Sequence, residues 1–499
     1  MTTSRTEAPA PSPAAPEGGE GLTAPETGRF RPRRLAGLLR PSTVEEVVAH
    51  VRAAARAAGA PCAGPRPAPL QPVSTGRNWG LGSALPVRDG ATVLDLSGLD
   101  RIREVDTLRG YAVVEPGVTQ DRLARRLVGT DRVLNLTGAS RHTSIIGNVL
   151  ERGVGLHRPR AEDLAGLELV LADGQRVHTG WWPAPGGPAV VQPHGSGPSL
   201  NHLFTQASWA AVTAAVVRLL PRPRTVTVLP LTFAPARLAE AVGLLRDWTA
   251  GRLVPATTKI YDPVAARTYG VRDRYLAHIA LTGDPEVTGA LTRIVSARVR
   301  APGSPFEPAP PEAADAVVHA AYAGDPDPAD TLFRRKTGGC CARCLDRERG
   351  LLMFLPLVPF HGPAVAEAAD LVRGATADAT ASGITMNVLD ADTVDHVVTL
   401  GFAPGDPAAA REAHRALDRL HTAFAARGWL PYRSDVDHPL PARHTALHRR
   451  LRGALDPYGV FAAGRFEGPP PAAGRAGAVS GARPASPTPA ARTSRRAGP

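Results

Sequence analysis

The sequence predicts an α+β fold in two domains, and three observations carry that prediction. Between residues 92 and 180, short β-rich runs such as Thr92-Val93-Leu94-Asp95-Leu96 and Tyr111-Ala112-Val113-Val114 alternate with glycine-bearing turns. From about 226 to 430 the pattern changes to strands interleaved with long helical stretches, the mark of an antiparallel sheet backed by helices. With 499 residues and 43% hydrophobic content, the chain can bury large cores in two or three domains.

In chain order, residues 1–28 and 468–499 are Pro/Ala/Gly/Ser-rich and lack apolar periodicity, so both are expected to be disordered. Order begins near Pro41. Ser42 or Thr43, with Glu45 or Glu46 three residues on, makes a capping box, and Val44, Val47, Val48 and Val51 give one apolar helical face. Asp121 to Val128 reads as a short helix bounded by Gly129, and Ala165 to Val177 as a hairpin turning at Ala172-Asp173-Gly174. An apolar run from Ser208 to Leu220 ends at Pro221-Arg222-Pro223, the first plausible domain boundary. Beyond it, Arg237–Trp248, Glu286–Val299, Ala364–Thr376 and Asp406–Arg427 are helical, with strands at Leu351–Val358 and Val397–Phe402.

The formal net charge of +12 does not mark a nucleic-acid binder. Only two of the 58 basic Lys and Arg residues are lysines, Lys259 and Lys336; five arginines sit in the tail after Glu467, and no basic motif is interleaved with aromatics. No run of ~18 apolar residues is present, so no membrane span is expected. The N-terminal stretch lacks a secretory apolar core, so a cytoplasmic location is expected. The four cysteines, Cys62, Cys340, Cys341 and Cys344, are too few for a disulfide scaffold in a chain of this length. CCARC lacks a fourth ligand at zinc spacing, so no metal is expected.

The chain is organised around Val73-Ser74-Thr75-Gly76-Arg77-Asn78-Trp79-Gly80-Leu81-Gly82-Ser83. Its glycines permit a turn whose amide N–H groups point inward as an anion nest, and Arg77 adds a cationic fork suited to phosphate. Two later glycine turns, at Glu115–Thr119 and Ser144–Gly155, also lie beside β-rich runs. Loops of this kind converge on one extended phosphorylated ligand.

The runs STGRNWGLGSALP, VVEPGVT, GNVLERGVG, LELVLADGQRVHTG and GPSLNHLFTQASWAAVT follow in that order over residues 40–225. GWLPYR (428–433) and LDPYGVFAAGR (455–465) stand near the other end. Together they resemble the vanillyl-alcohol oxidase and p-cresol methylhydroxylase flavoprotein family. The resemblance implies a p-cresol-methylhydroxylase-type FAD-binding domain of two subdomains at 29–225 and an α+β cap (substrate) domain at 226–430. The chain then returns to the FAD domain at 431–467. It also implies that Ser74, Thr75, Gly76, Arg77, Asn78, Trp79, Gly80, Gly82 and Ser83 hold the FAD diphosphate. Pro116, Gly117 and Val118 would join them, with Ser144, Gly147, Asn148, Arg152, Gly153 and Gly155 completing the cradle.

On the substrate side, the family's Tyr-Arg pair falls at Tyr432-Arg433, where guanidinium and phenol O–H would stabilise a phenolate. Tyr432 would itself be a base if Arg433 depresses its pKa. His142, on the loop before Ser144, is a candidate base or anion binder, with a surface loop histidine as the alternative. His396 alternates with apolar neighbours and reads as packing. Counting from the motifs without gaps, the resemblance departs at four positions: Leu81 for a tyrosine, Ala139 for an acid near the flavin, Leu351 for the histidine that anchors FAD, and Met386 for a polar cap residue. These imply a rebuilt, more apolar pocket and non-covalent FAD, the alternative being a thioether from Cys341 or Cys344.

The implied activity is hydride transfer from an aromatic, phenolic or conjugated small molecule to flavin, with dioxygen or another acceptor reoxidising it, in a possible homodimer without membrane or nucleic-acid partners. Two alternatives remain open: an alcohol or 2-hydroxy-acid oxidase or dehydrogenase on the same fold, and a catalytically impaired flavin-binding partner in a biosynthetic assembly.

Overall fold

The computed structural model describes residues 17–18, 28–59, 67–77, 79–187, 189–194, 197–338, 345–376, 382–439 and 445–466. Asn78, all four cysteines, and all of the two expected tails except 17–18 and 28 lie outside the described residues.

Among the described residues three large sheets build the molecule, beside a two-stranded ladder of Arg132–Val133 with Leu220–Pro221. In the first, strands Gly37–Leu39 and Leu70–Val73 flank Thr92–Asp95 in parallel, with the short strand Glu17–Gly18 antiparallel at the edge. Helix Val44–Gly59 makes the crossover between the two flanking strands. Its start is closed by Glu46, whose carboxylate accepts from Ser42 N (2.7 Å) while its own N–H donates to Thr43 Oγ1 (3.2 Å). Val44, Val47 and Val51 bury against Leu70, Leu94 and the distant Phe461. The C-terminal segment thus returns to this sheet, with Leu70 N donating to Val460 O (2.8 Å) and Ala462 N to Leu70 O (2.7 Å).

The second sheet is antiparallel, in the order Ile102–Asp106, Tyr111–Val114, Ala210–Arg218, Leu164–Leu171, Arg176–Gly180. Leu164–Leu171 and Ala210–Arg218 are buried along almost their whole length, which explains continuous apolar runs where a half-exposed strand would alternate. The hairpin turns through Gly174, whose N–H donates to Leu171 O (2.8 Å).

The third sheet has eight antiparallel strands. Seven run in the order Glu307–Pro308, Thr225–Phe233, Tyr275–Gly283, Lys259–Tyr261, Ser382–Val388, Thr393–Phe402, Gly350–Phe354, and Leu357–Pro359 pairs separately with Thr393–Phe402. Its two faces differ. Ile260, Ile279, Met386 and Val398 point to the side covered by helices Leu238–Ala250, Pro285–Val299, Gly362–Thr376 and Pro407–Ala425. Tyr261, Leu276 and Ala280 point the other way and pack with Leu123, Ile145 and Leu332 beside the second sheet. Helices Ala316–Tyr322, Pro326–Thr337 and Thr445–Leu455 have no counterpart among the expected elements. Among the described residues no helix is long and apolar enough to cross a membrane.

Candidate functional site

A cleft of about 1300 Å³, partly open to solvent, runs between the first two sheets and the returning C-terminal segment. Three turns wall it. Ser74, Thr75, Gly76, Arg77 and Ser83 come from the glycine loop, Pro116 from the turn after Tyr111–Val114, and Thr143, Ser144, Gly147 and Asn148 from the start of helix Ile145–Leu150. Arg433, Ala463 and Arg465 close the far side. Ser144 caps its helix by accepting from Gly147 N (3.0 Å) while its hydroxyl donates to Pro116 O (2.7 Å), which locks the second turn to the third.

Other residues expected at the cradle lie elsewhere. Trp79, Gly80 and Gly82 are off the cleft wall: Trp79 packs on Phe333 with ring centroids 5.1 Å apart, and Gly80 O accepts from Met353 N (2.9 Å). Leu81 is fully buried, and its carbonyl accepts from Val436 N. Gly117 and Val118 sit behind Pro116, and a Cβ on Gly117 would strike Ser97 O. Gly153 and Gly155 leave room for the side chains of Asn148 and Asn135, and Arg152 holds φ +54° at the turn behind them. These residues shape the cradle from behind. His142 is not on the wall either, although its neighbours Thr143 and Ser144 are.

The cleft suits a large anionic cofactor on two counts. Buried polar atoms on its wall lack hydrogen-bond partners: Thr143 Oγ1, Asn148 Oδ1, and Arg433 Nε and Nη2. At Gly147 a Cβ would come within 2.5 Å of Ser74 Oγ, so the two turns can approach only with glycine there.

Beyond Arg433, a chain of buried polar groups lies on the face of the third sheet that looks toward the first two. The Tyr432 hydroxyl donates to Asp395 Oδ2 (3.4 Å), Asn387 Nδ2 donates to the same oxygen (3.0 Å), and Lys259 Nζ donates to Asn387 Oδ1 (2.5 Å). Strand register produces this chain, because Lys259 pairs with Asn387 and Asn387 with Asp395. Asp395 Oδ1 has no hydrogen-bond partner, and Arg433 Nε stands 3.9 Å from Glu151 Oε2.

Burial raises the Asp395 carboxyl to about 6, with Asn387, Arg433 and Lys259 opposing the rise. Burial also lowers the Lys259 ammonium to about 7, helped by Lys336 and resisted by Asp395. For Tyr432, burial and then the Asp395 charge push the phenol well above its ordinary value, and Arg433 offsets this only in part. Tyr432 is therefore a hydrogen-bond donor rather than a base, which reverses the depressed pKa expected from its neighbour Arg433. Asp395 is the group poised to take a proton near neutrality.

Asp395, Asn387 and Lys259 escaped the sequence reading. The gap-free count reached Met386, whose side chain is wholly buried on the helix-covered face; the polar residue on the site face is its neighbour Asn387. His396 also lies on the helix-covered face, where burial lowers its pKa to about 3 and keeps the ring neutral. A third cluster went unforeseen: His421 and His438 stack at 3.8 Å, and both bond the Asp435 carboxylate at 3.0 Å. His438 Nε2 also bonds Asp418 (2.9 Å), so the cluster ties helix Pro407–Ala425 to the returning segment.

Comparison with known proteins agrees with this architecture. The FAD binding domain family matches residues 35–180. The 1'-carboxy-chondrochloren decarboxylase of Chondromyces crocatus is 28% identical across 89% of this chain and 93% of that protein. The 4-cresol dehydrogenase (hydroxylating) flavoprotein subunit of Pseudomonas putida is 33% identical over 38% of each chain. A crystal structure of p-cresol methylhydroxylase with substrate bound superposes with a TM-score of 0.75 at 23% identity, covering 87% of this chain and 89% of that one. The α+β fold is shared with that enzyme, FAD is the cofactor, and the protein is an FAD-dependent oxidoreductase similar to those of the p-cresol methylhydroxylase type.

Proposed function

We propose that the protein oxidises a small phenolic or conjugated substrate by hydride transfer to FAD. Tyr432, Asp395 and Arg433 receive the phenol. Ser74–Arg77, Ser144, Gly147 and Asn148 hold the diphosphate, with backbone N–H donors and the Arg77 cation facing its charge. FAD, when bound there, would supply the acceptor for the hydride, that is, for one proton and two electrons together. A second acceptor, dioxygen or another, then restores it, and we place the reaction in the cytoplasm.

The observation that carries this reading is the hydroxyl of Tyr432 on Asp395 Oδ2, beside the Arg433 nitrogens Nε and Nη2, which make no hydrogen bond. A phenol O–H there meets an acceptor whose pKa is about 6, a donor in Tyr432, and a cation that favours the phenolate. Phenolate formation raises electron density at the para carbon's substituent, which is the carbon that gives up hydride.

The long likeness to a decarboxylase favours a second reading, in which oxidation is coupled to loss of CO2. Hydride leaves the carbon attached to the ring and CO2 leaves the next carbon. The electron pair of the broken C–C bond becomes the new C=C, and two electrons pass to FAD.

The test is anaerobic mixing of the yellow protein with phenols, 2-hydroxy acids and simple alcohols. Bleaching by para-alkyl phenols alone is the expected result, with headspace CO2 separating the two readings. Bleaching by hydroxy acids or alcohols but not by phenols would sink the proposal.

A further inference from the structure

Lysine is almost absent from this chain, yet both copies come to one place. Lys259 is buried on strand Lys259–Tyr261, and Lys336 stands near the end of helix Pro326–Thr337. Lys336 Nζ lies 5.5 Å from the ring centroid of Tyr261, which shares a strand face with Lys259. It also stands 3.6 Å from where a Cβ on Gly138 would be, over the loop that leads through Ser140 to Thr143 and Ser144 on the cleft wall. The two ammonium groups therefore span from the cofactor-side loop to the cap-side sheet.

Their charges are poorly balanced. Among the described residues Lys259 hydrogen-bonds only the neutral Asn387, and no carboxylate pairs with Lys336. Asp395 is the nearest acid to Lys259 along the network, reached only through Asn387 and shared with Tyr432. Lys259 is buried while Lys336 is exposed, so the buried ammonium is the one that lacks a counter-charge in direct contact, and Lys336 stands where solvent reaches it. A merely structural cation has no need to be lysine in a chain that otherwise uses arginine, whereas a compact ammonium suits a small anion as a point charge.

We propose that Lys259 and Lys336 form a carboxylate subsite, so that the substrate is a phenol bearing a carboxylate on its side chain. The inference rests on the phenol end assigned above to Tyr432, Asp395 and Arg433: the hydroxyl is held there and the carboxylate at the lysine end. Tyr261, on the same strand face as Lys259 and 5.5 Å from Lys336 Nζ, is buried against Tyr269 and His278, which holds its ring in place beside both lysines.

The test uses a matched pair, 3-(4-hydroxyphenyl)propanoate and its amide, on the FAD-loaded protein and on the Lys336→Met and Lys259→Met variants. Two readouts are taken: binding by isothermal titration calorimetry, and the rate of anaerobic flavin bleaching. The wild type is expected to bind the acid more than tenfold tighter than the amide, and that ratio to collapse toward one in Lys336→Met, with Lys336→Arg recovering part of it. Lys336 is on the partly open side, so its variants test the idea even if Lys259→Met folds badly. Equal binding of acid and amide by the wild type, or a ratio unmoved in Lys336→Met, overturns the carboxylate subsite. If both compounds bleach the flavin equally, the subsite alone fails and the phenol reading stands. If neither binds nor bleaches, both fail.

Discussion

A Cβ on Gly82 would lie 2.5 Å from Val436 Cγ1, and the residue holds φ +63°. The pressure on this glycine thus comes from the returning C-terminal segment rather than from the cleft. Gly82→Val is expected to lose roughly 1–3 kcal/mol through overpacking and about 1–2 kcal/mol through the left-handed backbone. Gly147→Val instead strikes Ser74 Oγ on the cleft wall and should give a folded, colourless protein. Melting temperature and visible flavin absorbance, measured on both variants, separate the two effects. A colourless but fully stable Gly82→Val would mean that this part of the loop touches the cofactor after all.

Tyr432→Phe removes the donor to Asp395 Oδ2. The expected loss in kcat/KM for a phenol is about 1.5–3 kcal/mol, the usual worth of a hydrogen bond to a charged group. Asp395→Asn should remove the rise in rate near pH 6 that its raised pKa predicts. An unchanged pH profile in Asp395→Asn would exclude that carboxylate as the proton acceptor.

Lys259→Met should trade activity for stability. The folded-state pKa is lowered from 10.5 to about 7, with Lys336 and Asp395 as the facing charges and His278 held neutral beside them. Between those values the unfolded chain binds the extra proton, so wild-type stability rises with pH through that window and is lowest below about 7. Replacing the ammonium by an apolar chain should therefore stabilise the protein at about pH 6 by on the order of 1–4 kcal/mol, less so at about pH 10. Urea melts at the two pH values check the sign.

Asp435→Asn should weaken the tie between helix Pro407–Ala425 and the returning segment by about 3–5 kcal/mol, as when one partner of a buried charge pair is removed. Burial opposes the charge of His438, but Asp435 and Asp418 more than compensate, so its pKa is raised. Its contribution is present below the ordinary histidine value and is lost as pH rises through the raised one. In wild type a loss of stability as pH rises from the ordinary histidine value through the raised one, absent from Asp435→Asn, is the expected signature in melts across pH.

FAD is expected to come free on acid precipitation. Leu351, which counting from the motifs sets at the histidyl-anchor position, is buried against Trp79 and has no nucleophilic atom. A protein band that stays fluorescent after denaturing electrophoresis, and goes dark in Cys341→Ser or Cys344→Ser, would show a thioether instead.

The turns that wall the cleft at Ser74–Arg77, Pro116 and Ser144–Asn148 were legible because turn and cap signals are local. Ser144 caps a helix three residues before Gly147, and that spacing can be read directly. The long helices were legible for the same reason, their apolar repeat surviving in Pro407–Ala425 with Leu417, Leu420 and Phe424 all buried. The substrate side was not, because it depends on register. Lys259 stands 128 residues before Asn387, which meets Asp395 only across a hairpin and on one strand face, and a count wrong by one lands on Met386. The scarcity of lysine was visible, but it served only to dismiss nucleic acid; its positional meaning needed the sheet.

The glycine loop carries a further consequence through its two sides. Ser74–Arg77 face the cleft, while Trp79 grips Phe333 and Gly80 O holds Met353 N of the third sheet. One short segment therefore reports to both halves of the molecule, and thermodynamic reciprocity applies: whatever factor FAD adds to the seating of the third sheet, that seating returns to the affinity for FAD. Phe333→Ala, which changes no residue of the cleft wall, should raise the dissociation constant of FAD, and loss of FAD should expose the strand Gly350–Phe354 to amide hydrogen exchange. Cofactor retention would then serve as a remote gauge of whether the substrate side is correctly assembled.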